Sequence, residues 1–207
     1  MEPFGRLDAV AVPLAITNVD TDQIIPARFL ARARADGFGD VLFHDLRFSQ
    51  DGAPKRDFVL NYPEYASSRI LVAEANFGCG SSREHAVWAL ADFGFRAVIA
   101  SSFGDIFRNN CYKNGLLPVL LPSERIATLL KLLRERPGVS IYIDLPAQRV
   151  SASDGVVNEF PIDPFRKTLL IEGVEEIEFT LGLRERIAEF ERSFESQFPW
   201  ASGWSRR

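Results

Sequence analysis

Cysteine and histidine are scarce in this chain of 207 residues, with two of each: Cys79 and Cys111, His44 and His85. So few cysteines argue against a secreted disulfide scaffold. Two thiolates also fall short of the three or four that a cubane iron–sulfur cluster takes, and two imidazoles make a weak zinc set. A reaction that needs such a metal would need a partner to bring it. No apolar run approaches the ~20 residues that cross a bilayer. The opening Met1-Glu2-Pro3-Phe4-Gly5-Arg6 has no basic segment followed by an apolar one, so a cytoplasmic location is expected. Excess positive charge is lacking too. The formal net charge is −4, and Lys and Arg are dispersed among the acids. The surface therefore offers no field to recruit nucleic acid or an anionic membrane. Internal repeats and low-complexity segments are also missing.

What is present is apolar content of 46%, enough for one substantial core. Residues 10–14 read as a strand, followed by a polar turn over 18–22. Residues 23–29, interrupted by Pro26, read as a loop or one helical turn. Residues 32–63 are irregular, with glycines at 37, 39 and 52 and prolines at 54 and 63. A structured excursion of that length is more often functional than idle. From Arg69 the pattern sharpens. Strands are predicted over 70–73, 97–100 and 116–121. One helix opens at Ser81 and stops at Gly94, and another opens near Phe103. Alternation of this kind indicates βαβ units and parallel pairing. A helix over 123–136, short strands near 140–145, 149–151 and 156–160, and helices over 164–172 and 182–195 complete the expectation. We expect one domain over 1–195, including the 32–63 excursion, and a flexible tail over 196–207.

The segment richest in chemistry is Asn76-Phe77-Gly78-Cys79-Gly80-Ser81-Ser82-Arg83-Glu84-His85. It sets small residues, two hydroxyls and an arginine on a strand-to-helix turn. Glycine lets backbone approach a ligand, and the free N–H groups at a helix start favour an anion. A carboxylate substrate suits such a place, and so does a transient serine alkoxide. Arg83 adds a planar fork matched to a carboxylate. A plainer reading competes: Ser81 as N-cap, with Glu84 completing a capping box. A phosphate loop is disfavoured, because neither Gly-x-x-x-x-Gly-Lys-Ser/Thr nor Gly-x-Gly-x-x-Gly occurs.

Taken together, Phe77 through Ala86 resembles the serine loop of the swivelling domain in the aconitase superfamily. Two further blocks agree in order and spacing. Asn18-Val19-Asp20-Thr21-Asp22-Gln23-Ile24-Ile25-Pro26 looks like the signature of that superfamily's stand-alone small subunits. Phe103-Gly104-Asp105-Ile106-Phe107 through Asn110, and Asn114 through Pro118, form the third. The resemblance covers roughly residues 5–195. Within the excursion, Gly37-Phe38-Gly39, Leu42 to Phe48 and Asp57 to Asn61 are similar to the bacterial isopropylmalate dehydratase small subunits.

The resemblance implies an α/β fold, a three-layer β/β/α swivelling domain with a central βαβ segment over 70–121. It also implies a dehydration–rehydration isomerisation of a hydroxy-dicarboxylate. By position in the motif, Ser81 would be the general base, acting as an alkoxide. Ser82 and Arg83 would bind the small dicarboxylate substrate. Asp20, Thr21, Asp22, Gly80 and His85 would shape the cleft. For the two aspartates a simple Asx-turn competes with a role in orienting a partner side chain. This chain would hold no cofactor. A 4Fe–4S cluster is expected in a large-subunit partner, without which activity should be slight. Cys79 is expected to be a buried, inert thiol, Cys111 and His44 structural, and Arg28 a surface arginine. The nearest rival substrates are citraconate, dimethylmaleate and a homoaconitate-type diacid. From other classes, a non-catalytic regulatory partner and an independent binding domain for small organic anions remain.

Overall fold

The computed structural model describes residues 1–200. The chain divides into two compact units, Met1–Gly173 and a second from Val174 onward.

The first unit runs β1 (Arg6–Leu14), α1 (Thr21–Ile24), α2 (His44–Arg47), β2 (Ile70–Ala73), α3 (Glu84–Phe93), β3 (Ala97–Ala100), α4 (Asp105–Lys113), β4 (Leu117–Leu120), α5 (Ser123–Glu135), β5 (Ser140–Asp144), β6 (Arg149–Ala152), β7 (Val157–Glu159) and α6 (Pro164–Glu172). The strands form one mixed sheet in the order β4-β3-β2-β1-β5-β6-β7. β1 serves both halves. Its first five residues pair antiparallel with β5, from Arg6↔Asp144 to Val10↔Ser140. Its last four pair parallel with β2, from Ala11↔Ile70 to Leu14↔Ala73. The residue pattern explains the change. Arg6 and Asp8 are exposed and alternate with Leu7 and Ala9, as on a one-sided sheet, whereas Ala11 to Leu14 are all buried.

The parallel half is apolar on both faces because both are covered. Val12, Leu71 and Val98 pack with Ala86, Val87 and Leu90 of α3. Their neighbours Ala11, Ile70 and Ile99 pack on the other side with Ile126, Leu129 and Leu133 of α5. Ile141, Ile143 and Val150 of the antiparallel half bury in that second cluster. The α/β class and the central βαβ segment thus follow from the apolar runs. β1, by contrast, starts at Arg6 rather than at residue 10.

The excursion over 32–63 contains short 3-10 turns and α2, and it closes the first core. Phe38, Val41, Leu42, Phe43 and Leu60 all bury there. A Cβ placed on Gly39 would lie 2.7 Å from the Asp92 backbone, so only glycine fits against the end of α3. The Asp92 carboxylate fastens the same join. It takes both Arg34 Nη atoms at 2.7 and 2.9 Å and accepts from the Phe38 N–H at 2.9 Å. Asp92→Ala removes the acceptor of a buried residue's amide. The expected cost is about 1–2 kcal/mol, read as a lower urea midpoint with earlier proteolysis between residues 32 and 63. An unchanged midpoint would show that the join is held by packing alone.

The second unit holds α7 (Glu176–Gly182) and α8 (Arg184–Gln197). A capping box between Glu175 and Glu178 starts α7, and Phe190 stacks on Phe194 in α8 at 5.8 Å. The helix expected over 182–195 is therefore the second of a pair, with Leu183 at the break. Of the tail expected over 196–207, α8 takes in the first two residues, and 201–207 lie outside the described residues.

Candidate active site

Parallel pairing continues beyond the strands and gathers three loops at their carboxyl ends. Asp20 bridges to Cys79, and Phe77 to Phe103, both in parallel register. The Gly78 N–H donates to the Val19 carbonyl at 2.7 Å. Open α/β sheets bind ligands at this end. The floor of the serine loop is tightly packed. Phe77 is fully buried and meets the Phe107 ring edge-on at 5.4 Å. Gly78 has φ +71°, and a Cβ there would stand 2.1 Å from the Phe107 ring.

Above that floor the chain turns at Gly80, where φ is +90°, and Ser81 and Ser82 stand exposed. Thr21, 1% exposed, lies beneath them. Its N–H donates to the Cys79 carbonyl at 3.0 Å. Its hydroxyl donates to the Ser81 carbonyl at 3.1 Å and lies 3.5 Å from Ser81 Oγ. The Ser82 hydroxyl has no hydrogen-bond partner among the described residues.

The helix opening expected at Ser81 is corrected here. α3 starts at Glu84 with Arg83 as N-cap, and no side chain caps it. The Ser81–Glu84 capping box does not form, because the Glu84 carboxylate accepts from Asn114 Nδ2 at 2.8 Å instead. Trp88 Nε1 donates to Asn114 Oδ1 at 3.0 Å and holds that amide in place. The Ser81 hydroxyl is thus left out of helix capping.

The two aspartates of the first block divide the roles left open by the sequence. Asp20 caps α1 in a box with Gln23: its carboxylate accepts the Gln23 N–H at 2.7 Å, and Gln23 Oε1 accepts the Asp20 N–H at 3.0 Å. Asp22 forms an ion pair with Arg83. His85 does not reach the serines. Its ring packs against Phe38 at 5.4 Å and Trp88 at 4.6 Å, tying α3 to the excursion.

Cys79 is half-buried rather than buried. Cys111 lies fully buried in α4, where desolvation pushes its thiol well up and keeps it protonated. No group of three or more His, Cys, Asp or Glu side chains converges among the described residues. Two thiols of such different burial do not fit an iron–sulfur cubane.

A concavity of about 210 Å³ lies by the strand ends, lined by Thr17, Glu74, Ala75 and Ser101, and others lie beside the excursion. One of about 540 Å³ is lined by Arg28, Phe29, Arg32, Asp40, His44 and Phe48, and a neighbour of about 730 Å³ adds Asp45 and Lys55. Their cations are already engaged: Arg28 pairs with Asp45, and Arg32 with Asp40. The Arg28 hydrogen bond holds the Asp45 carboxyl at about 2, below its usual 3.8. A depressed acid stabilises the fold above its ordinary range and stops doing so as pH falls through about 2. Both side chains are about half exposed, so the effect is small. Sequence reasoning had not found Asp92 as a latch, or Asn114 as the reason Ser81 stays uncapped. Both act across the fold; Asp92 is marked only as a polar residue in an apolar stretch, and Asn114 by nothing local.

Comparison with known proteins identifies relatives of this chain. A family model described as the Aconitase C-terminal domain matches residues 1–124, and one described as LeuD_N matches 127–164. The 3-isopropylmalate dehydratase small subunit of Paramagnetospirillum magneticum is 50% identical over 200 residues, spanning 97% of this chain and 100% of that protein. The protein of the same name from Xanthobacter autotrophicus is 49% identical over the same shares. A crystal structure of 3-isopropylmalate dehydratase from Methanocaldococcus jannaschii is similar at a TM-score of 0.60 and 25% identity, covering 90% of this chain and 99% of that one. Among the described residues no helix is long and apolar enough to cross a membrane.

Proposed function

Because the chain belongs to the family of 3-isopropylmalate dehydratase small subunits, we propose that it joins a large subunit to form a cytoplasmic hydro-lyase of leucine biosynthesis. The enzyme interconverts 2-isopropylmalate and 3-isopropylmalate through isopropylmaleate. The observation that carries the reading for this chain is the exposed Ser81–Ser82 pair at the carboxyl ends of the parallel strands, flanked by an arginine already oriented by Asp22.

Dehydration must remove a weakly acidic C–H proton and expel hydroxide. Ser81 Oγ, as an alkoxide, takes the proton and becomes a hydroxyl. In rehydration it returns that proton to the double bond. Removal and return by one group let water re-enter at the neighbouring carbon. The Ser82 hydroxyl donates to a substrate carboxylate. The Arg83 guanidinium offers two parallel N–H donors to the same kind of group, with Asp22 setting the plane of the fork. A serine hydroxyl is too weakly acidic in water for this work. Cover by the large subunit would exclude solvent from the exposed loop and strengthen every donor around Ser81. Departure of hydroxide calls for a Lewis acid, which an open iron of a 4Fe–4S cluster in the large subunit would supply. This chain does not fit such a cluster, and no step is assigned to its cysteines.

The test is to mix the chain anaerobically with a cluster-loaded large subunit and follow the ultraviolet absorbance of the unsaturated diacid. 3-Isopropylmalate is assayed beside citraconate and homoaconitate. Preferred turnover of 3-isopropylmalate is expected. Turnover of another diacid alone would keep the chemistry and replace the substrate, and inactivity on all three would remove the enzymatic reading.

A further inference from the structure

We propose that Thr21 is a positioning residue for Ser81, a buried switchable donor whose hydroxyl turns its hydrogen bond from the Ser81 carbonyl to Ser81 Oγ as that oxygen becomes anionic. The inference rests on Ser81 being the base and adds what stabilises the base.

The geometry has four parts. Thr21 Oγ1 lies within reach of both Ser81 oxygens, 3.1 Å from the carbonyl and 3.5 Å from Oγ. A hydroxyl carries one proton on a rotatable bond, so it serves one oxygen at a time and chooses the more basic. The switch leaves no carbonyl stranded, because the Arg83 N–H also donates to the Ser81 carbonyl, at 2.8 Å. Thr21 is held in place by its own backbone: its N–H donates to the Cys79 carbonyl at 3.0 Å. Its side chain is 1% exposed, so water does not compete for it. Gly80 makes the turn over Thr21 possible through its backbone: φ +90° is strained for any other residue, whereas a Cβ there would make only ordinary contact with Thr21 Oγ1 at 3.6 Å.

While Ser81 is protonated, its own hydroxyl can donate to Thr21 Oγ1, and the Thr21 hydroxyl goes on donating to the Ser81 carbonyl. When Ser81 loses its proton, rotation of the Thr21 hydroxyl delivers a donor to the alkoxide. A hydrogen bond made only to the anion lowers the pKa of its parent hydroxyl. The donor therefore acts on kcat and leaves substrate binding by Ser82 and Arg83 alone.

The experiment uses the assembled enzyme with Thr21→Val, which keeps the shape and deletes the hydroxyl, and Thr21→Ser, which keeps the hydroxyl. Ser81→Ala is run beside them. For Thr21→Val we expect kcat to fall about ten- to a hundredfold, the scale of one hydrogen bond to a charged group, KM to hold, and the ascending limb of the kcat–pH profile to move to higher pH. Thr21→Ser should restore most of kcat and the original limb. An unchanged kcat and profile in Thr21→Val, with Ser81→Ala inactive, would overturn the inference and leave the base assignment standing. So would equal losses in both Thr21 variants with KM raised, since that marks packing of the loop. Full activity in Ser81→Ala would overturn the base assignment and this inference with it.

Discussion

Ser81→Ala, assembled with the large subunit, is expected to lose about a hundred- to ten-thousandfold in kcat, the usual scale for removing a general base. KM should change little. Ser81 is exposed and caps no helix, so its side chain holds nothing together. The Thr21 hydroxyl still has the Ser81 carbonyl, which alanine retains. The Asp22–Arg83 pair is likewise untouched. A fall in kcat with KM held is the signature of an interaction made only in the transition state. Steady-state kinetics on the complex, with binding of the large subunit measured separately, checks it. A rise in KM with kcat preserved would instead make Ser81 a binding group.

Gly78→Ala should be the most damaging single substitution for the fold. The added Cβ would overlap the Phe107 ring at 2.1 Å, and φ at Gly78 is +71°. Phe107 is 3% exposed in the first core, so the ring has no room to turn aside. Overpacking of that kind and strain at positive φ each cost about 1–3 kcal/mol. Together, at about 2–6 kcal/mol, they remove a large share of the roughly 5–15 kcal/mol that keeps a domain folded. The expected result is insoluble protein, or a urea midpoint too low to measure well. Gly52→Ala is the control. It has φ +81° but nothing within 4 Å, so it should show backbone strain alone. Equal midpoints for the two variants would mean that the ring does not set the floor of the loop.

The parts of this structure that sequence reveals are those whose cause is local. β2 and β3 are continuous apolar runs because both faces of the parallel half are covered, and such runs are visible without knowing what covers them. The first half of β1 is different. Arg6 and Asp8 look like loop residues until β5, more than a hundred positions on, gives them a one-sided sheet to face away from. The start of α3 was misplaced for a similar reason. Ser81 with Glu84 satisfies the local grammar of a capping box, but Glu84 is taken by Asn114, thirty residues later. The Asp20–Gln23 box obeys the same grammar and does form. Within the site, the residue types were legible and their pairing was not. Nothing near Asp22 in the sequence says that it, and not Asp20, meets Arg83. The excursion was legible only as irregular, since Phe38, Val41, Leu42 and Phe43 follow no period, and their destination is set by the face of α3 they close.

The most direct measurement is a titration of a fixed amount of cluster-loaded large subunit with this chain, followed by turnover of 3-isopropylmalate, first with the unaltered chain and then with Ser81→Ala added in competition. On the proposed reading the chain supplies the base of a shared site. Activity should therefore be negligible without it, rise to a plateau at equimolar chain, and fall as the alanine variant displaces it. Substantial turnover by the large subunit alone, or an alanine variant that sustains the plateau, would contradict that claim.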